Sequence, residues 1–224
     1  TVFLPDVLIS SALSVALQYM ELLRKQRKAE KALAVQFKQD IAAIAATDAK
    51  KMGFLLSFEG CEPLQFQPEL LPIFAELGLR MIALTWSRRN LFAHGVRDGK
   101  TLIDPAEGIS QQGFALIEEC ERLGILLDVS HLGHQEFTEL AAHSRRPFLA
   151  SHSNCYAVCP HPRNILDEEI RTIAERGGVV GLNFVSKFLE SDTIDSMAPF
   201  AAHLRHLIQV GGEDICAIGS DWDG

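Results

Sequence analysis

Short apolar runs recur along the chain at nearly regular intervals, and this rhythm restricts the fold more than any other feature. They are TVFL (1–4), FLLSF (54–58), RMIALT (80–85), ILLDV (125–129), PFLA (147–150), GVVGLNF (178–184) and ICAIG (215–219). Each is too short for a helix and mostly lacks polar alternation, so each reads as a strand buried on both faces. Helical patterns lie between most of them. One or two long helices are expected over 7–48, with Asp6 as a candidate N-cap. Others are expected over 68–77, 110–123, 134–144, 167–176 and 197–210, most running into glycine at Gly78, Gly124, Gly177 or Gly211. Strands alternating with helices predict a parallel sheet with helical crossovers. The count is seven strands, where a closed (β/α)8 barrel needs eight. A doubly wound sheet is the competing arrangement, and the position of the polar residues decides between them.

Those polar residues fall at strand ends. Glu59 follows FLLSF, Trp86 follows IALT, His131 follows LLDVS and His152 follows FLAS. Asn183 lies within GLNF and Asp221 follows AIGS. In a barrel, catalytic groups gather at the C-terminal ends of the strands. A single histidine there is an ordinary hydrogen-bonded residue, but two histidines, a glutamate and an aspartate on successive tips form a pattern. Ionisable groups beside apolar strands are costly unless paired or metal-bound. Imidazole and carboxylate without thiolate suit Zn²⁺ or a similar divalent ion. Such an ion acidifies bound water and polarises a carbonyl, and a carboxylate such as Asp221 can carry the proton to a leaving amine. The chemistry implied is amide or ester hydrolysis.

Composition excludes other classes. The net charge of −8 argues against a nucleic-acid or anionic-membrane surface. The most apolar stretch, 7–23, carries Ser, Gln and Glu at helical spacing, so it reads as an amphipathic helix and not a membrane span. Its basic residues follow it, unlike those of a secretory leader. The five cysteines have no framework spacing and read as reduced thiols, so a cytoplasmic location is expected. Cys155 and Cys159 lack a second pair to make a metal site. GGVVGLNF is not a dinucleotide fingerprint, and Ser130 and Ser153 lie in no G-x-S-x-G elbow. His94 and His161 read as loop residues, His134 as a helix cap or surface residue, and His203 and His206 as part of an ordinary crossover helix. Asp128, buried before His131, reads either as an orienting partner of a histidine or as a structural hydrogen-bond acceptor.

The blocks SFEG, GLRMIALTWSRRNLFAHG, GISQQGFALIEECERLGILLDVSH, PFLASHSNCYAVCPHPRNI and HLRHLIQVGGEDICAIGSDWDG, in that order, resemble the renal (membrane) dipeptidase family. These are zinc dipeptidases of the amidohydrolase-like TIM-barrel type. The resemblance implies a binuclear zinc site in which Glu59 bridges two ions and His131 and His152 ligate one of them. A hydroxide between the ions attacks the scissile carbonyl, Asp221 handles the proton, and Asp223 is structural. Arg163 binds the substrate carboxylate or the developing oxyanion. Trp86 stands where well-known members carry a histidine; it and Tyr156 are expected to line the substrate pocket. The other zinc of the family is held by a His-x-Asp on the first strand, and these 224 residues contain no His-x-Asp. The resemblance therefore implies one barrel domain over 1–224 that lacks the first strand and the C-terminal part. The expected substrates are small dipeptides, including those with a D-residue on the C-terminal side. No nucleic-acid or membrane partner is expected, and a homodimer is left open. The alternatives are hydrolysis of N-acyl amino acids or lactones, or an inactive barrel acting as a binding protein.

Overall fold

The computed structural model describes residues 9–28, 32–46, 52–96, 108–190 and 193–222. Eight strands and eight α-helices are present among them: α1 (Ile9–Lys28), β1 (Ala32–Ala34), α2 (Lys38–Ala45), β2 (Met52–Phe54), β3 (Leu56–Glu59), α3 (Leu71–Glu76), β4 (Leu79–Ala83), α4 (Gln111–Leu123), β5 (Leu126–Asp128), α5 (His134–His143), β6 (Phe148–Leu149), α6 (Asp167–Glu175), β7 (Val180–Leu182), α7 (Ser186–Leu189), α8 (Ala198–Gly211) and β8 (Cys216–Ile218).

All strand pairs are parallel. They form the sheets β1-β2, β3-β4-β5-β6 and β7-β8, and a bridge between Ala150 and Val180 carries the order from β6 to β7. Neighbours in the sheet are neighbours in the chain, which is the winding of a (β/α)8 TIM-type barrel and not of a doubly wound sheet, where the order reverses. The ring is not closed across the described residues. Parallel strands send all their C-terminal ends to one rim, and this rim gathers the polar tips.

Local chemistry sets the helix ends. Ser110 caps α4 by accepting the Gly113 N–H at 3.0 Å. Gly124 closes the helix at φ 70°, a left-handed turn that glycine adopts without a Cβ penalty. Asp167, Glu168 and Glu169 fill the first turn of α6, where the helix dipole favours negative charge. Leu79 and Ile82 from β4, Ile117 from α4, Leu140 from α5, Phe148 from β6 and Ile173 from α6 are fully buried between strands and helices.

The region 7–48 differs from its reading. It contains two helices with a strand, β1, between them, and β1 pairs with β2. Alanine-rich sequence favours helix, but pairing with a neighbouring strand overrides so weak a preference. The run 54–58 divides between two sheets, β2 ending at Phe54 and β3 starting at Leu56. The short helix α7 was not expected. The run at 1–4 and the Asp6 cap lie outside the described residues. No helix among the described residues is long and apolar enough to cross a membrane.

Candidate metal centre

Glu59 is the last residue of β3, so its side chain stands at the rim. His131 and His152 follow the ends of β5 and β6 by three residues each. The structure brings these three together. His131 Nε2 lies 2.8 Å from Glu59 Oε1 and 2.8 Å from His152 Nε2. His152 Nε2 lies 3.2 Å from the same Glu59 oxygen. Among the described residues this trio is the group of potential metal ligands that converges. The histidine side chains are 6% and 12% exposed and that of Glu59 is 31% exposed, so the centre opens towards solvent on the glutamate side.

The chemistry of this donor set fits a divalent cation. Two Nε2 atoms and a carboxylate oxygen face one point, and hydrogens alone serve such a group poorly, because one proton can lie between two imidazole nitrogens but not satisfy the rest. A single positive ion satisfies all three donors, and Zn²⁺ accepts this ligand type. Burial and the neighbouring Arg163 guanidinium push His131 down to about 3, which keeps its ring neutral and able to ligate. Burial opposes ionisation of Glu59, yet the adjacent His131 and His152 imidazoles outweigh it and hold the carboxyl well below the usual range.

The outer sides of both rings are also engaged. His131 Nδ1 lies 2.7 Å from Ser87 Oγ, and His152 Nδ1 lies 2.7 Å from Ser151 Oγ. Three non-glycine residues among those described have positive φ: Ser87 (24°), His131 (71°) and Asp221 (54°). Each such residue costs about 1–3 kcal/mol and persists only where its surroundings over-determine it. All three belong to the strand tips of this rim.

Trp86 stacks on the His131 ring, with centroids 5.4 Å apart. Arg88 lies 5.8 Å from the centre of the indole. Arg163 is buried; its Nη2 donates to the His152 carbonyl at 3.1 Å and lies 3.4 Å from His131 Nε2. Asp221 is not one of the three converging donors. Its Oδ2 accepts the Asn183 amide at 3.1 Å, while Asn183 is itself held by Asn154 and Val185. The Tyr156 ring meets His134 edge-on at 6.3 Å. Asp223 lies outside the described residues.

The other histidines and the cysteine pair take structural places. His134 is no surface cap: it is buried, with Nδ1 2.8 Å from Glu169 Oε1. His94 is half-buried against the Gly108 backbone. His203 is wholly buried and uses both nitrogens structurally, accepting the Cys155 N–H and donating to the Leu189 carbonyl. Cys155 and Cys159 direct their thiols to backbone carbonyls. Ser87 and Ser151 were not singled out from the sequence; the signal for Ser151 is its place directly before His152 in ASHS.

The fold and the trio define an α/β barrel with a candidate metal centre at its rim. The chain belongs to the membrane dipeptidase family (peptidase family M19), whose family model matches residues 1–224. It resembles a solved metallo peptidase from Rhodobacter sphaeroides, liganded with a phosphinate mimic of the dipeptide L-Ala-D-Ala. That structure is 37% identical with a TM-score of 0.87, over 96% of this chain and 63% of the other. An uncharacterized protein in the pqqA 5′ region of Klebsiella pneumoniae is 37% identical over 78% of this chain and 66% of its own length. An uncharacterized dipeptidase of Schizosaccharomyces pombe is 31% identical over 83% of this chain and 45% of its own. The chain thus spans less than two thirds of each of these relatives.

Proposed function

We propose that this protein hydrolyses dipeptides with the help of divalent metal, zinc by the character of its donors, held by Glu59, His131 and His152. The observation that carries the reading is the convergence of their three ligand atoms within 2.8–3.2 Å at the C-terminal rim. When bound, such an ion polarises a peptide carbonyl and acidifies water.

The chain's own residues supply the rest. Arg163, buried beside His131, binds the free carboxylate of the substrate or the oxygen that gains charge, because its planar fork pairs with two oxygens at once. Asp221, held at Oδ2 by Asn183, takes the proton of the attacking water and passes it to the leaving amine. Trp86 covers His131 and, with Tyr156, shapes the substrate pocket. Fixing the carboxylate and the carbonyl leaves the C-terminal side chain without a chirality requirement. A dipeptide with a D-residue there is therefore a substrate, and the L-Ala-D-Ala mimic in the Rhodobacter sphaeroides relative supports this choice. By the family resemblance, two ions are proposed for the whole protein.

The test is elemental analysis of the purified protein together with a panel of L,L- and L,D-dipeptides, N-acyl amino acids and lactones. Bound zinc and dipeptide turnover support the reading. Turnover confined to acyl amino acids or lactones, or absence of both metal and activity, refutes it.

A further inference from the structure

The two histidines of the trio are not held alike. His131 Nδ1 meets the hydroxyl of Ser87. His152 Nδ1 meets the hydroxyl of Ser151, and that hydroxyl donates to Asp128 Oδ2. Asp128 is buried at the end of β5; its other oxygen accepts the N–H groups of Ser130 at 3.0 Å and Ser151 at 2.9 Å. Ser130 completes the group, with Oγ accepting the His152 N–H at 3.1 Å and lying 3.4 Å from Ser151 Oγ.

The direction of these bonds follows from counting hydrogens. A carboxylate only accepts, and a serine hydroxyl has one hydrogen. Ser151 spends that hydrogen on Asp128, so towards His152 it can only accept. The hydrogen between them must then sit on His152 Nδ1, which leaves the lone pair on Nε2, the atom that faces Glu59 and His131.

We propose that Asp128, acting through Ser151, is a positioning residue that locks His152 in the tautomer able to ligate metal through Nε2. The consequence for metal binding rests on the function proposed above, but the tautomer itself does not. The carboxylate does more than brace a ligand. It sets the polarity of a hydrogen-bond chain, and an amide in its place reverses that polarity. In Asp128→Asn the amide oxygen keeps the two backbone N–H groups, its NH₂ donates to Ser151, and the Ser151 hydrogen turns to His152 Nδ1. Nε2 then carries the proton and is blocked. Ser151→Ala only deletes the link and opposes neither tautomer.

Imidazole ¹⁵N spectra of the metal-free full chain should show His152 protonated at Nδ1 in the wild type and at Nε2 in Asp128→Asn. Zinc affinity, read by chelator competition, should fall about 100-fold in Asp128→Asn and about 10-fold in Ser151→Ala, the span typical of residues that support a metal ligand. Ser151→Thr, which keeps the hydroxyl, should restore both readouts. Loss of packing alone would not move a tautomer or rank the variants in this order. An unprotonated His152 Nδ1 in the wild type overturns the proposal, as does wild-type affinity in both weakened variants. If Asp128→Asn does not fold, Ser151→Ala and Ser151→Thr decide by loss and rescue. A wild type that binds no zinc sinks the metal-site reading instead, and the tautomer still decides this one.

Discussion

Trp86 lies over His131 as a stacked pair, the planes of the two rings inclined by 28°. An aromatic pair of this kind contributes about 0.5–1.5 kcal/mol beyond the area it buries. Here it holds the ring that is also bound by Ser87 and Glu59. Trp86→Ala should therefore weaken zinc binding by no more than about 10-fold, while Trp86→Phe keeps it near wild type. Isothermal titration of both variants checks this, and dipeptide panels run beside it report the effect on substrate range.

Glu59 contributes the negative charge of the trio and lies 2.8 and 3.2 Å from the Nε2 atoms of His131 and His152. Glu59→Gln keeps the shape and removes that charge. Loss of a ligand should exceed the 10–100-fold cost of losing a supporting residue, so metal affinity should fall by more than about 100-fold. Activity should disappear with it. Metal content and turnover measured on one preparation test the link; turnover that survives would remove Glu59 from the centre.

Arg163 should act on binding more than on turnover. A hydrogen bond to a charged partner contributes about 1.5–3 kcal/mol, so Arg163→Ala should lower kcat/KM for dipeptides with a free carboxylate by about 10- to 100-fold. Amidated dipeptides should lose far less. Equal losses on both would place the guanidinium elsewhere in the reaction, at the oxyanion or on the His152 carbonyl that it already contacts.

Asp221 is held by Asn183, outside the converging trio. Asp221→Asn should lower kcat by about 10²–10⁴-fold, the usual range for a general acid–base group, and leave metal content near normal. Metal loss in this variant would move Asp221 among the ligands.

His134 gives a pH dependence away from the metal centre. Burial works against its charge, but the Glu169 carboxylate at Nδ1 outweighs burial and raises its pKa above the ordinary 6.5. A raised pKa in the folded state stabilises the protein below pH 6.5, and this contribution fades as pH climbs through the folded value. His134→Gln should cost about 1.5 kcal/mol at pH 6, or roughly 3–6 °C in Tm for a chain of this size. The gap from wild type should narrow at alkaline pH. Thermal melts of both proteins across that range check the sign, and a gap that widens with pH would reverse it.

The strand ends were legible because each apolar run stops at a residue that cannot follow it inward: Glu59 after LSF, His131 after DVS, His152 after LAS. Alternation of such runs with helices determined a parallel sheet, and parallel strands oblige their ends to share a rim. Capping residues such as Ser110 and Gly124 were legible for a similar reason, since their effect is local. The tertiary structure decided what depends on partners distant in sequence. Strand β1 exists because β2 pairs with it, against the helical preference of its alanines. The burial of His134 depends on Glu169, 35 positions away. Asp128 reaches His152 through Ser151 and not its own near neighbour His131, because β5 and β6 lie side by side with Asp128 opposite Leu149. Sequence carries the order and polarity of the strand tips; distances among them arise only when the strands are laid in register.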